Sequence, residues 1–186
     1  MNRRLLLVAV LVVVAAGLLL WALLPGRREG GGAPTAGPPP VASPTPAPER
    51  RVVLLYPGPD DLLHPEVVPL ALPDELDARV RTLVERLLEP SPAGRPPVAP
   101  YPAELEQVFV REGRTAYVGF TAPETELGGS STEVLFAFAV TDSILLNCPQ
   151  LRGVQLLFGG REVPTLTGHL DLSRPLGLNK RLIAAS

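Results

Sequence analysis

The stretch Gly128-Gly-Ser-Ser-Thr-Glu-Val-Leu-Phe-Ala-Phe-Ala-Val-Thr-Asp-Ser-Ile-Leu145 decides the fold. Val134 to Val140 is apolar throughout, so periodicity alone leaves a buried strand open. Length and punctuation favour a helix over Ser131–Asn147. Ser130 and Glu133 have the S-x-x-E spacing of a capping box, Gly128 and Gly129 precede it, and Asn147-Cys148-Pro149 ends it. A helix here separates two groups of strands.

Upstream, Leu105–Phe120 reads as a hairpin turning at Glu112-Gly113, because glycine tolerates the positive φ of tight turns. That centre sets Leu105 opposite Phe120 and Phe109 opposite Ala116, with Val118 on the core side and Glu106 and Tyr117 on the other. Before it, Asp74–Glu89 is an amphipathic helix, with Leu76, Val80, Leu83, Val84, Leu87 and Leu88 on one face. Asp74 is its N-cap and Pro90 its stop. Arg51–Tyr56 is a strand, and Val67–Leu72, which carries Pro69, is an edge strand or extended segment. Downstream, Val154–Phe158 and Val163–Leu166 form strands around a Gly159-Gly160 turn. The order β(β)αββαββ predicts an α+β domain over residues 51–178. Its small, mostly antiparallel sheet carries both helices on one face, and residues 179–186 form a tail.

The other end of the chain is different in kind. Leu5–Leu24 is twenty uncharged, apolar residues, about 30 Å as a helix and thus enough to cross a bilayer core. A cleaved signal peptide would have a shorter apolar region and a small-residue cleavage site, and no cysteine follows for a lipid anchor. The reading is a retained single-pass signal-anchor, residues 1–24. Arg3 and Arg4 balance Arg27 and Arg28, so charge leaves the side of the membrane open. Residues 25–50, with GGGAPTAGPPP and SPTPAPE, have almost nothing to bury and read as an extended linker. PxxP spacings within it fit a spacer better than a docking motif.

From Arg50 onward the sequence has 13 Lys+Arg and 17 Asp+Glu, with no basic stripe, which argues against a nucleic-acid partner. Cys148 is the only cysteine, so no internal disulfide forms. His64 and His169 do not stand at metal-ligand spacings, and no cofactor motif occurs. A Cys148–His169 pair would need a reactive thiol, whereas Cys148 follows a very apolar helix. The Gly128-Gly129-Ser130-Ser131 turn lacks the lysine of a phosphate-binding loop. No catalytic constellation emerges, so the domain reads as a binding or assembly module and not as an enzyme.

Several segments, taken in order, resemble the GerMN domain of sporulation, spore-germination and other bacterial envelope proteins. They are VVLLYP at Val52–Pro57, RVRTLVERLLEP at Arg79–Pro90, TAYVGF at Thr115–Phe120 and GGSSTEVLFAFAVTDSIL at Gly128–Leu145. VQLLFGGREVPTL at Val154–Leu166 and GHLDLSRPL at Gly168–Leu176 complete the set. The resemblance implies an extracytoplasmic, non-catalytic module that self-associates or binds envelope proteins, without cofactor or metal. It marks Gly128, Gly129, Ser130, Glu133, Gly160, Gly168, His169, Leu170 and Asp171 as motif positions, read here as structural. A cell-wall or small-ligand binding domain is the alternative.

Overall fold

The computed structural model describes residues 48–111, 114–124 and 129–185. The apolar run at 5–24, the linker up to residue 47 and Gly128 lie outside them. Among the described residues, no helix is long and apolar enough to cross a membrane.

Strands β1 (Glu49–Pro57) and β2 (Leu63–Ala71) form an antiparallel two-stranded sheet in which Val53 opposes Val67 and Leu55 opposes Pro65. The N–H groups of Val53 and Leu55 turn away from β2, so the residues opposite them turn away too. Pro65, and Pro69 four residues on, therefore stand where the ladder needs no donor. That is why a full nine-residue strand tolerates two prolines.

Helix α1 (Leu76–Leu88) buries Val80, Leu83, Val84 and Leu87. Asp74 is not its cap. The helix starts two residues later, after Glu75, without a side-chain capping bond. Arg79 holds the entry instead, donating to the carbonyls of Pro73 and Asp74 at 3.0 Å each.

The second sheet has the order β3 (Leu105–Arg111), β4 (Thr115–Phe120), β5 (Gly153–Phe158). β3 and β4 are antiparallel, but β4 and β5 run parallel. The expectation of a single, mostly antiparallel sheet is corrected to two sheets, one of them mixed. The cause is helix α2 (Ser130–Asn147), which carries the chain back along the sheet, as a parallel neighbour requires. The hairpin register also shifts. A bulge between Leu105 and Gln107 sets Phe109 opposite Tyr117 instead of Ala116. The two rings stack on the outer face, 4.9 Å apart and 6° from parallel. Ala116, Val118, Phe120, Val154, Leu156 and Phe158 are buried on the inner one.

Helix α2 has no polar stripe. Phe136 meets Phe120 and Phe158 of the sheet, with centroids 5.3 and 6.4 Å away. Ser143 Oγ accepts from Leu55 N at 3.0 Å, and Asn147 both accepts from Val53 N (3.0 Å) and donates to Val53 O (2.7 Å). The Asn147 amide thus occupies the place a neighbouring strand would take beside β1. The helix packs on β5, β1 and α1, which buries most of its residues and leaves Ser131 and Leu146 exposed.

The expected strand over Val163–Leu166 does not form. After the Gly159-Gly160 turn, with φ of 56° and 74°, only Arg161 bridges back to Phe158. Beyond it the chain runs irregularly over β5. Gln155 Nε2 donates to Leu172 O (2.8 Å), and Val154 and Leu176 exchange N–H···O bonds of 2.9 and 2.8 Å. Residues 179–185 hold a 3-10 turn at Lys180–Leu182, and Ala184 N donates to Leu63 O at 2.9 Å.

Candidate functional site

Of the motif positions marked in the sequence, Gly168, through Thr165, and His169 meet Glu133. Its side chain is fully buried, and its two oxygens accept four hydrogen bonds from one loop. Oε1 takes Thr165 Oγ1 (2.7 Å) and Leu166 N (2.6 Å), while Oε2 takes Thr167 Oγ1 (2.5 Å) and His169 N (3.1 Å). One of these donors, Leu166 N, is an amide of the missing strand. Burial acts to raise the Glu133 pKa. The Thr167 hydroxyl, Leu166 N–H, Thr165 hydroxyl and His169 N–H outweigh it and hold the carboxyl down at about 2.

The capping box is therefore corrected. Gly129 is the N-cap, at a φ of 91° that favours glycine, and Ser130 is the first helical residue. Glu133 reaches across to the loop instead of back along its own helix. Gly168 adopts φ 89°, and its N–H donates to Thr165 Oγ1 at 2.7 Å. Since the Thr167 hydroxyl proton points to Glu133, Thr167 Oγ1 receives the Nδ1–H of His169 at 3.1 Å. Leu170 packs partly buried against the core. Asp171 is exposed and closes a turn by accepting from Ser173 N (3.1 Å) and Ser173 Oγ (2.5 Å). The Ser173 hydroxyl, chiefly, lowers its pKa. Gly160 stands apart in the β5 turn, and Gly128 is outside the described residues.

Cys148 and His169 do not meet. Cys148 caps the far end of α2, fifteen residues beyond Glu133, whereas His169 sits beside Glu133. At ~1.5 Å per residue that is about 20 Å of helix. Burial also pushes the Cys148 thiol up, away from its reactive form. Among the described residues, no three potential metal ligands come together.

A second buried carboxylate was not marked in the sequence. Asp142, fully buried on α2, accepts from Asn179 N at 3.0 Å through Oδ1, while Oδ2 has no partner among the described residues. Burial raises its pKa to about 6, against the lowering effect of the Asn179 bond. The signal was the polar triplet Thr141-Asp142-Ser143 inside an otherwise apolar helix. Such residues need partners where they are buried.

Elsewhere, a cleft of about 420 Å³ is lined by Tyr101, Pro102, Glu104, Thr121, Ala122 and Glu124. Tyr101 donates to Thr121 O at 2.8 Å, and burial pushes its pKa up to about 12. In the β1–β2 turn His64 lies 2.9 Å from Asp60 Oδ1. A Cβ on Gly58 would come to 2.5 Å from the His64 ring, so a larger residue there would displace the His64–Asp60 pair.

No curated protein sequence matches the chain. Its fold is similar to the first GerMN domain of the sporulation protein GerM from Bacillus subtilis. That match has a TM-score of 0.49 and 18% identity, covering 71% of this chain and 98% of that one. The tandem GerMN domains of the same protein give 0.52 and 19%, over 70% of this chain and 46% of that one. The chain therefore spans about half of the tandem's length. A candidate lipoprotein from Clostridium perfringens gives 0.48 and 18%, over 69% and 87%. The family described as "Germane: Sporulation and spore germination" matches residues 53–164, more than half of the sequence. The chain belongs to this sporulation and spore germination family, whose domain is the GerMN fold described above.

Proposed function

We propose that the domain is a non-enzymatic assembly module of the bacterial cell envelope, working in sporulation or spore germination. A signal-anchor helix at residues 5–24 attaches it to the membrane, and the linker holds it on the extracytoplasmic side. The observation that carries this reading is the Glu133 cluster. Both carboxylate oxygens are filled by donors of the 165–169 loop, so Glu133 fixes that loop in place, and a reacting group would need a free oxygen. Family membership supports the sporulation and germination setting. The test is chemical crosslinking of the full-length chain in its native membrane, with identification of what it captures. Self-crosslinks or defined envelope partners are expected. A chain that stays monomeric and uncrosslinked would sink the reading.

The cleft beside Tyr101 favours a second reading, a binding site for a cell-wall fragment or small ligand, because it is concave and carries Glu104 and Glu124. Titration with soluble peptidoglycan fragments decides it. Saturable binding abolished by Glu104→Gln supports this reading, and no binding at millimolar concentration removes it.

A further inference from the structure

Two open sheets have four edges, and three of them are closed. Ser143 and Asn147 occupy the free edge of β1. Pro65 and Pro69 blunt that of β2, where Ala184 N also caps Leu63 O. Leu176 and Arg161 bridge the outer edge of β5. Only β3 has no strand or isolated bridge on its outer side among the described residues, although α1 packs against it. Arg111 O accepts from Arg114 N (3.2 Å), so Arg111 turns its backbone toward β4. Alternation then turns the N–H and C=O groups of Val108 and Val110 outward. β3 contains no proline, and its sequence around Phe109 is symmetric, with valine on both sides.

From this open edge and its local symmetry we infer that β3 pairs antiparallel with β3 of a second copy, about a twofold axis through Phe109. The inference rests on the assembly reading above and names its partner. In this register Val108 of one copy opposes Val110 of the other, and all four outward backbone groups of each strand find a partner. Phe109 opposes its counterpart at a non-hydrogen-bonded position, where side chains approach most closely, and extends the stack already made with Tyr117. Gln107 opposes Arg111. Residues 50–186 carry a net charge of 13 − 17 = −4, which opposes self-approach. β3 itself is neutral, with Glu106 balanced by Arg111, and its centre is apolar. The arrangement is isologous and gives one continuous six-stranded sheet.

The test uses the full chain in detergent. Phe109→Cys puts two thiols across the axis at a Cα separation of about 4.5 Å, within disulfide range. Gln107→Cys puts them about four residues, ~14 Å, apart along the strands, well outside it. Cys148 is buried and does not compete. Under mild oxidation Phe109→Cys is expected to run as a covalent dimer and Gln107→Cys as a monomer. Val108→Pro, which removes an outward donor, is expected to raise the dimer dissociation constant at least tenfold by sedimentation, with circular dichroism unchanged. If this variant unfolds, the two cysteine variants decide alone. Equal crosslinking of both, absence of the Phe109→Cys dimer, or dimerisation indifferent to Val108→Pro overturns the β3 pairing. So does a Phe109→Cys crosslink only to a different protein. A chain that still dimerises through another surface overturns this inference but leaves the assembly reading standing. A strict monomer in crosslinked membranes removes both.

Discussion

Two buried carboxylates on one helix titrate in opposite senses. Glu133 has a folded pKa of about 2 against an ordinary 4.5, so its contribution to stability is complete above pH 4.5 and is lost as pH falls toward 2. Its size is on the order of 3 kcal/mol. Glu133→Gln leaves one oxygen and adds a donor among donors. It is expected to cost about 2–4 kcal/mol at neutral pH and to flatten the acid limb of stability measured by urea denaturation. Asp142 behaves in reverse. Burial raises its folded pKa to about 6, so the protonated form is the stabilising one; that stability is present below pH 3.8 and is lost as pH rises through 6. Asp142→Asn is expected to stabilise the protein by about 1–2 kcal/mol above pH 6 and to give no gain near pH 4. Thermal melts across that range check the sign. The sequence marked Glu133 through its spacing from Ser130, but it assigned the wrong bond. A local spacing rule has no access to a loop more than thirty residues away. Asp142 was not marked because a single acid in an apolar run reads as surface, whereas its face of the helix is buried.

Among the elements, α1, β1 and the β3–β4 hairpin were legible because their patterning is local. What was not legible was set by contacts between elements. The bulge near Glu106 moves Phe109 to the outer face, and no residue in Leu105–Phe120 announces it. The β4–β3 turn also differs from the expected two-residue form. Arg111 pairs with Thr115, and Arg114 takes φ 66°, so a left-handed position falls on an arginine. Arg114→Gly is expected to stabilise the hairpin by up to about 1 kcal/mol, as glycine accepts that φ without strain, measured by chemical denaturation. The strand expected at Val163–Leu166 failed because Glu133 draws the Leu166 N–H out of any ladder. At β1, Asn147→Ala would leave Val53 N–H and C=O half-buried without partners. A loss of about 2–3 kcal/mol is expected by the same measurement, while Asn147→Asp, which keeps the acceptor alone, recovers part of it.

For the whole molecule, the α+β class, the two helices and family membership could be read from the sequence. The split into two sheets could not, because pairing between β4 and β5 depends on how α2 packs, not on the strands' own residues. Each sheet is too small to bury both of its faces, and α2 solves this by packing on β5 and β1 together. If residues 5–24 anchor the chain, deleting residues 1–47 moves the domain from the membrane fraction to the soluble one. Fractionation of cells expressing both forms checks this. Domain that remains with the membrane after the deletion would assign attachment to the folded part instead.

The Asn147–Val53 contact has a kinetic consequence. It joins residues 94 apart in sequence, so a large loop must close before that interaction contributes. The β1–β2 hairpin forms locally and early, but its second edge stays bare until most of the remaining chain has been made and α2 has docked. Loss of the Asn147 amide should therefore accelerate unfolding far more than it slows folding, with the change confined to the unfolding limb of a denaturant chevron. During synthesis, the hairpin is the surface that a chaperone has most reason to hold.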